Sequence, residues 1–248
     1  MEKKRCTAIV LAAGSGSRMK SSVAKQFMLL DGKPLIWYAL QAVEASEIID
    51  DCILVTGKED IAYMRREIVE KYHFQKVEAV IAGGSERCFS VANALQAMEG
   101  ALQIPNRDGY VFIHDGARPF LTNAILQSMY DAVRRYHACV AAVPCKDTIK
   151  IADGEGFAAG TPDRNLLWSI QTPQVFDTGL IRDAYEKLLE EWEELQRQGV
   201  RVTDDAGVAE LFTDTKVRLV KAAYSNIKIT TPEDFFIAES FLHAGKKG

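Results

Sequence analysis

The segment LAAGSGSRMKSSVAKQF (residues 11–27) sets Gly14 and Gly16 ahead of two cations, Arg18 and Lys25. Glycines let backbone N–H groups approach phosphate oxygens, and the two side chains add positive charge, so the chemistry on offer is anion binding. The spacing excludes two common forms. A dinucleotide fingerprint needs a third glycine where Met19 stands, and a P-loop needs a glycine directly before Lys20-Ser21, where Met19 stands again. Taken alone, the glycine pair is equally consistent with a plain turn bearing two solvated cations.

Other segments supply further groups. IAGGSERCFSV (81–91) repeats the pattern of an apolar run ending in a glycine pair, followed by Arg87 and Ser90. HDGARPF (114–120) sets Asp115 and Arg118 at the end of an apolar run, as a site or as an internal ion pair. His114 reads as a packed, hydrogen-bonded histidine rather than a catalyst. TPDRN (161–165) contributes Arg164, and NIKIT (226–230) places Lys228 on a strand-like stretch. TDD (203–205) reads as a helix cap.

These groups need elements to position them. CTAIVLAAG, DCILVTG, VEAVIAG, GYVFIHDGA and ACVAAVPC are continuous apolar runs, the pattern of strands buried on both faces. Between them PLIWYALQAVEAS, EDIAYMRREIVEKY, SVANALQAM and NAILQSMYDAVRRYH carry apolar residues at helical spacing. Such alternation predicts an α/β fold with a mostly parallel sheet and helices on both faces. Ligands of such sheets bind beyond the carboxyl ends of the strands, where LAAGSGSR and HDGARP fall. After Pro144 the pattern breaks, and KDTIKIADGEGFAAGTPDRN predicts a projecting hairpin around DGEG, an arm at about 145–166. A long charged helix stopped by Gly199, a short helix, the strand KVRLVKA and a last helix opened by TPEDF complete the chain. No repeat or linker interrupts residues 1–248, so one domain is expected.

Composition narrows the partners. The 248 residues are 48% hydrophobic and 26% charged, with a formal net charge of −4. No overall basic field recruits nucleic acid, so any phosphate site is a local cluster. Cys6, Cys52, Cys88, Cys139 and Cys145 form no CxxC pair, which points to reduced, mostly buried thiols rather than a zinc site. The charged start MEKKRC, and an apolar run broken by Gly14, fit neither a secretion signal nor a membrane span, so a cytoplasmic protein is expected.

Nine segments in order, LAAGSGSRM, KQF, GGSERxxSV, HDGARPF, DTIK, DRNLLW, QTPQ, TDDA and SNIKIT, resemble the 2-C-methyl-D-erythritol 4-phosphate cytidylyltransferases over nearly the whole chain. The resemblance implies a Rossmann-like nucleotidyltransferase fold and a homodimer in which each subunit extends its β-arm over the other. It implies transfer of CMP from CTP to the substrate phosphate, with pyrophosphate released and Mg²⁺, or another divalent cation, held mainly by the CTP phosphates. In the family's pattern the loop at Ala12, Ala13, Gly14, Ser15 and Gly16 wraps the triphosphate, and Gly84, Ser85 and Ser90 contact the cytosine; Arg87 belongs to the same CTP-binding set. Arg18 and Lys25 match the residues that stabilise the transition state, joined in the catalytic set by Arg164 and Lys228. Asp115, Arg118, Thr172 and Lys228 match positions around the bound substrates. Thr148 and Arg164 lie on the arm and match residues that serve the partner subunit's acceptor site. Ala24 departs from the proline common in the family, while Lys25 and Gln26 are kept.

Three rival readings compete with this one. Ribitol-5-phosphate cytidylyltransferases have the same fold, but Ala12-Ala13 and DRNLLW favour the methylerythritol enzymes. A CTP-binding protein without catalysis need not keep Arg18, Lys25, Arg164 and Lys228 together. A nicotinamide-dependent oxidoreductase is disfavoured by the missing third glycine.

Overall fold

A computed structural model of the chain describes residues 3–14, 23–99 and 108–245. In chain order the elements are β1 (Cys6–Ala12), β2 (Leu29–Leu30), β3 (Lys33–Pro34), α1 (Leu35–Glu44), β4 (Asp51–Thr56), α2 (Ile61–Tyr63), β5 (Val77–Ala82), α3 (Arg87–Glu99), β6 (Tyr110–Asp115), α4 (Asn123–Tyr136) and β7 (Ala138–Pro144). They continue with β8 (Ile151–Ala152), β9 (Ala158–Gly160), β10 (Trp168–Asp177), α5 (Thr178–Arg197), α6 (Asp205–Phe212), β11 (Arg218–Lys221) and α7 (Pro232–Gly245). Beyond α2 the helix widens over Met64–Glu70, with i→i+5 bonds such as Lys71 N to Arg66 O at 3.3 Å. The regular helix expected there is therefore only partly formed, although Met64 and Ile68 still reach the core.

Seven strands form one sheet in the order β11-β7-β10-β6-β1-β4-β5. All pairs are parallel except those of β10, which runs antiparallel to both β6 and β7. Alternation along β1 explains the two-sided core. Cys6, Ala8, Val10 and Ala12 face the cluster made with α1 and α4, while Ile9 faces the cluster made with α3, α5 and α6. Each helix offers an apolar stripe, as with Ile125, Leu126, Met129 and Val133 on α4. Its ends are fixed by Thr122 Oγ1, which accepts from Ile125 N at 3.3 Å, and by left-handed His137 at φ 67°. Helix α5 ends as the sequence predicts, in a Schellman arrangement. Gly199 adopts φ 72°, Gly199 N donates to Gln196 O, and Val200 N donates to Leu195 O.

Two expectations need amendment. Strand β10 has no counterpart among the strands expected from the sequence, because Pro173 and the polar Gln171, Thr172 and Gln174 argue against a central strand. The ladder to β7 shifts register between Ile170 and Gln174, so Pro173, which has no N–H, falls where pairing is already interrupted. The strand-like reading of residues 226–230 also fails, since no strand forms there. Its backbone groups are taken up elsewhere: Ile229 N donates to Ala117 O at 2.9 Å, and Ile229 O accepts from Lys25 Nζ at 2.8 Å. Ile229 is buried with Leu30, Leu35 and Ala238, a small third cluster that seats this stretch between the β2-β3 hairpin and α7.

The projecting hairpin is present, though its ladder is only β8 with β9. Ile149, Ile151, Phe157 and Leu166 on it are exposed. None of the five cysteines is in a disulfide, and four are buried. Among the described residues, no helix is long and apolar enough to cross a membrane.

Candidate active site

The chain leaves β1 to build β4 and β5 on one side, then returns to place β6 on the other. That reversal opens a crevice above the carboxyl ends of β1 and β6, the usual ligand position in open α/β sheets. A cavity of about 480 Å³ lies there. Ala12, Ala13 and Gly14 form one wall, Gly84, Ser85, Arg87 and Ser90 a second, and Asp115, Lys25 and Lys228 close it. Glu86, Gln26 and Thr230 also line it, and the sequence reading assigned none of these three a site role.

Glycine is required at two adjacent positions of the turn after β5 because neighbours crowd the backbone. A Cβ on Gly83 would lie 2.5 Å from Ala13 Cβ, and one on Gly84 would collide with Phe89. Ser90 fixes the same turn: its hydroxyl accepts from Gly84 N at 3.1 Å and donates to Glu86 O at 3.2 Å. The hydroxyl is thus engaged within the loop, and cavity contact there falls to the backbone and to Ser85.

Charge in the cavity centres on Asp115. Lys228 Nζ lies 2.7 Å from Asp115 Oδ2, Arg87 Nε 3.3 Å from Oδ1, and Arg118 Nε 3.9 Å from Oδ2. Burial works to raise the carboxyl's pKa, but Arg87, Lys228 and Arg118 outweigh it and hold Asp115 well below the usual carboxylate range. Arg87 is itself clamped by Asp205, with Nη1 and Nη2 at 2.8 and 2.7 Å from the two carboxylate oxygens. Asp205 is fully buried and also accepts from Tyr185 Oη at 2.6 Å. The sequence reading of TDD as a cap holds for Asp204, whose side chain accepts from Gly207 N. It missed Asp205, for which a cap motif gives no signal.

Arg118 and Thr172 lie behind the cavity wall. Arg118 is buried and donates from Nη1 to Asn226 O at 2.7 Å, and burial lowers its pKa. Thr172 Oγ1 accepts from Asp115 N at 3.0 Å and sits 3.0 Å from His114 Nδ1. The other ring nitrogen, Nε2, is 3.2 Å from Arg118 O, a carbonyl that can only accept. The chain of bonds therefore assigns the proton to Nε2 and makes Nδ1 the acceptor of the Thr172 hydroxyl, which requires neutral His114. Burial lowers the His114 pKa from 6.5 to about 4. The expectation of a packed, non-catalytic histidine fits this placement.

A pH dependence of stability follows. Between pH 6.5 and about 4 the unfolded chain takes up a proton that folded His114 refuses. His114 therefore contributes fully above pH 6.5, and that contribution is lost as pH falls to about 4, amounting to about 3 kcal/mol. Urea unfolding at several pH values checks this. A His114→Gln variant with the same slope would remove histidine from the explanation.

Thr148 and Arg164 are exposed on the arm and are not among the residues lining the cavity; Arg164 Nη1 donates to Lys146 O at 3.1 Å. Ser15, Gly16 and Arg18 lie outside the described residues. Among the described residues no cluster of three His, Cys, Asp or Glu side chains could cage a metal. Asp115, a cavity-lining carboxylate held ionised by its cationic neighbours, fits a Mg²⁺ ion that takes most of its ligands from substrate phosphates and water.

Comparison with known proteins gives a consistent result. The model of the family described as "IspD: 2-C-methyl-D-erythritol 4-phosphate cytidylyltransferase" matches residues 6–244. The enzyme of that name from Lachnospira eligens is 50% identical over 236 residues, covering 95% of this chain and 98% of the relative. That from Clostridium kluyveri is 42% identical, covering 96% and 97%. Among solved structures, 4-diphosphocytidyl-2C-methyl-D-erythritol synthase from Anaerococcus prevotii superposes with a TM-score of 0.80 at 34% identity, covering 97% of each chain.

Proposed function

Because the chain belongs to the 2-C-methyl-D-erythritol 4-phosphate cytidylyltransferase family, we propose a division of labour among its cavity residues for that family's reaction. The chain transfers CMP from CTP to 2-C-methyl-D-erythritol 4-phosphate, in the non-mevalonate route to isoprenoid precursors. An acceptor phosphate oxygen attacks the α-phosphorus of CTP in line. The new O–P bond forms as the bond to the β-phosphate oxygen breaks, and pyrophosphate leaves with that electron pair. The attacking oxygen is already ionised at neutral pH, so no general base is needed. Neutral His114, enclosed behind the wall, is not asked to be one.

Catalysis then rests on positioning and charge. The observation that carries this reading is the convergence of Lys25, Arg87 and Lys228 on a cavity lined by two glycine-containing loops, with Asp115 between Arg87 and Lys228. Backbone amides of Ala12, Ala13 and Gly14 face the triphosphate. Lys25, with Arg18, neutralises charge that gathers on the α-phosphate oxygens as the bond changes hands. Gly84 and Ser85 present backbone groups to the cytosine, a snug turn that a purine would overfill. Lys228, on the other side of Asp115, holds the acceptor phosphate against its repulsion from CTP, and Arg118 supports it from behind the wall through Asp115. Asp115 is the residue that would hold Mg²⁺, directly or through water. Bound there, the ion would screen the phosphates from one another and from the attacking oxygen.

The arm completes the site across a homodimer. Its exposed Ile149, Ile151, Phe157 and Leu166 offer apolar surface for a second copy, and Arg164 extends from the same hairpin. In this reading Thr148 and Arg164 of one protomer meet the acceptor bound by its partner. In this reading the enzyme works in the cytoplasm, a compartment that suits five scattered cysteines kept as free thiols.

The arm assignment has a direct test. Arg164→Ala is expected to raise the KM for methylerythritol phosphate at least tenfold while CTP affinity stays within about twofold, as loss of a charged contact to one substrate does. Dimers mixing Arg164→Ala subunits with Lys25→Ala subunits should regain activity at one of their two sites. If the mixture is no more active than the two parent variants, the arm does not serve its partner.

A further inference from the structure

Between β11 and α7 the chain has no ladder to hold it, yet it delivers Lys228 within 2.7 Å of Asp115. Asn226, two residues earlier, is completely buried. Both hydrogens of its amide are used: Nδ2 donates to Gln171 Oε1 at 3.0 Å and to Thr172 O at 2.9 Å. Its backbone carbonyl accepts from Arg118 Nη1 at 2.7 Å, and its N–H donates to Ala223 O at 3.1 Å. Gln171 Nε2 donates to the same Ala223 carbonyl at 3.1 Å, which fixes the orientation of the Gln171 amide and leaves its oxygen to face Asn226.

Thr172 therefore anchors both sides of the Lys228–Asp115 pair. Its carbonyl holds Asn226, and its hydroxyl holds the Asp115 N–H. Thr172 sits in the interrupted stretch of β10, four residues after Trp168, where the return from the arm enters the sheet. We propose that Asn226 is a positioning residue for the transfer: bound to Gln171 and Thr172, and with its carbonyl braced by Arg118, it fixes the backbone that presents Lys228 and ties that cation to the base of the arm. The inference rests on the assignment of Lys228 to the acceptor side.

The chemistry demands asparagine rather than a residue of similar size. Two acceptors face the Nδ2 atom, so aspartate would set carboxylate oxygen against Gln171 Oε1 and Thr172 O. Leucine would leave both oxygens buried without a donor. Because Asn226 Oδ1 has no hydrogen-bond partner among the described residues, the two donors carry the anchoring.

The test is a double-mutant cycle read in steady-state kinetics with CTP and methylerythritol phosphate. Asn226→Ala is expected to raise the acceptor KM or lower kcat by about tenfold, with the CTP KM within about twofold, because misplacing one catalytic-site group by a fraction of an ångström has that scale of effect. In a Lys228→Ala background the same change should cost less than about twofold, since residues acting as a unit are not additive. Should Asn226→Ala fail to fold, Asn226→Ser keeps one donor and closes the same cycle. A full tenfold cost on top of Lys228→Ala, or no cost alone, overturns the positioning role. If Lys228→Ala itself is harmless, the assignment of Lys228 falls, and Asn226 loses the residue it was to act through.

Discussion

Lys25→Ala is expected to lower kcat by about two orders of magnitude, with a much smaller change in the KM for CTP. Lys25 stands at the cavity mouth, where its Nζ donates to Ile229 O at 2.8 Å. That bond ties Lys25 to the stretch carrying Lys228, two residues that the proposed mechanism sets on opposite sides of the reacting phosphorus. A donor aimed at charge that develops during the reaction typically contributes about 100- to 1000-fold in rate. Arginine at the same position should restore only part of the activity, since a planar fork does not replace a compact ammonium. Single-turnover measurement of pyrophosphate formation separates this from slow product release. Turnover within about threefold of the parent would remove Lys25 from the mechanism.

Asp115→Asn is expected to reduce both stability and rate. The substitution keeps the shape and removes the charge that Arg118, Arg87 and Lys228 share. Arg87 retains Asp205, but buried Arg118 is left without a counter-ion. Breaking a buried pair by removing one partner typically costs about 3–5 kcal/mol. Because Lys228 remains partly solvated, the lower end, about 3 kcal/mol, is the expected loss in urea unfolding at pH 7. The sign with pH is fixed by the depressed carboxyl. The Asp115 contribution is present above the unfolded value of 3.8 and is lost as pH falls below it, so parent and variant should converge in acid. Turnover should fall by about 100-fold as the cations around the acceptor repel one another and shift. A variant as stable as the parent at pH 7 would show that the three cations need no common counter-charge.

The sequence exposes some of these parts more readily than others. Strands β1, β4, β6 and β7 are legible because burial on both faces makes each a continuous apolar run. Strand β10 is hidden because Gln171, Thr172 and Gln174 are buried polar residues that serve hydrogen bonds rather than core packing. The cavity residues at Gly84, Arg87 and Asp115 are legible because strand ends in a parallel sheet converge on one edge. Asp205 is not, since its partner Arg87 lies 118 residues away and no local spacing links them. Asn226 is hidden for the same reason: its meaning comes from Gln171 and Thr172, which lie 55 and 54 residues away in the chain. Local pattern thus reveals groups that act from strand ends, whereas the groups that hold them appear only once distant strands are paired.

The most direct test of the account is pyrophosphate release from CTP and Mg²⁺, with 2-C-methyl-D-erythritol 4-phosphate and ribitol 5-phosphate supplied separately. Rapid release with the methylerythritol phosphate, and little with ribitol phosphate, is the predicted result. Release with ribitol phosphate alone would keep the chemistry of the cavity but contradict its acceptor. CTP binding without release from either would contradict the reaction itself.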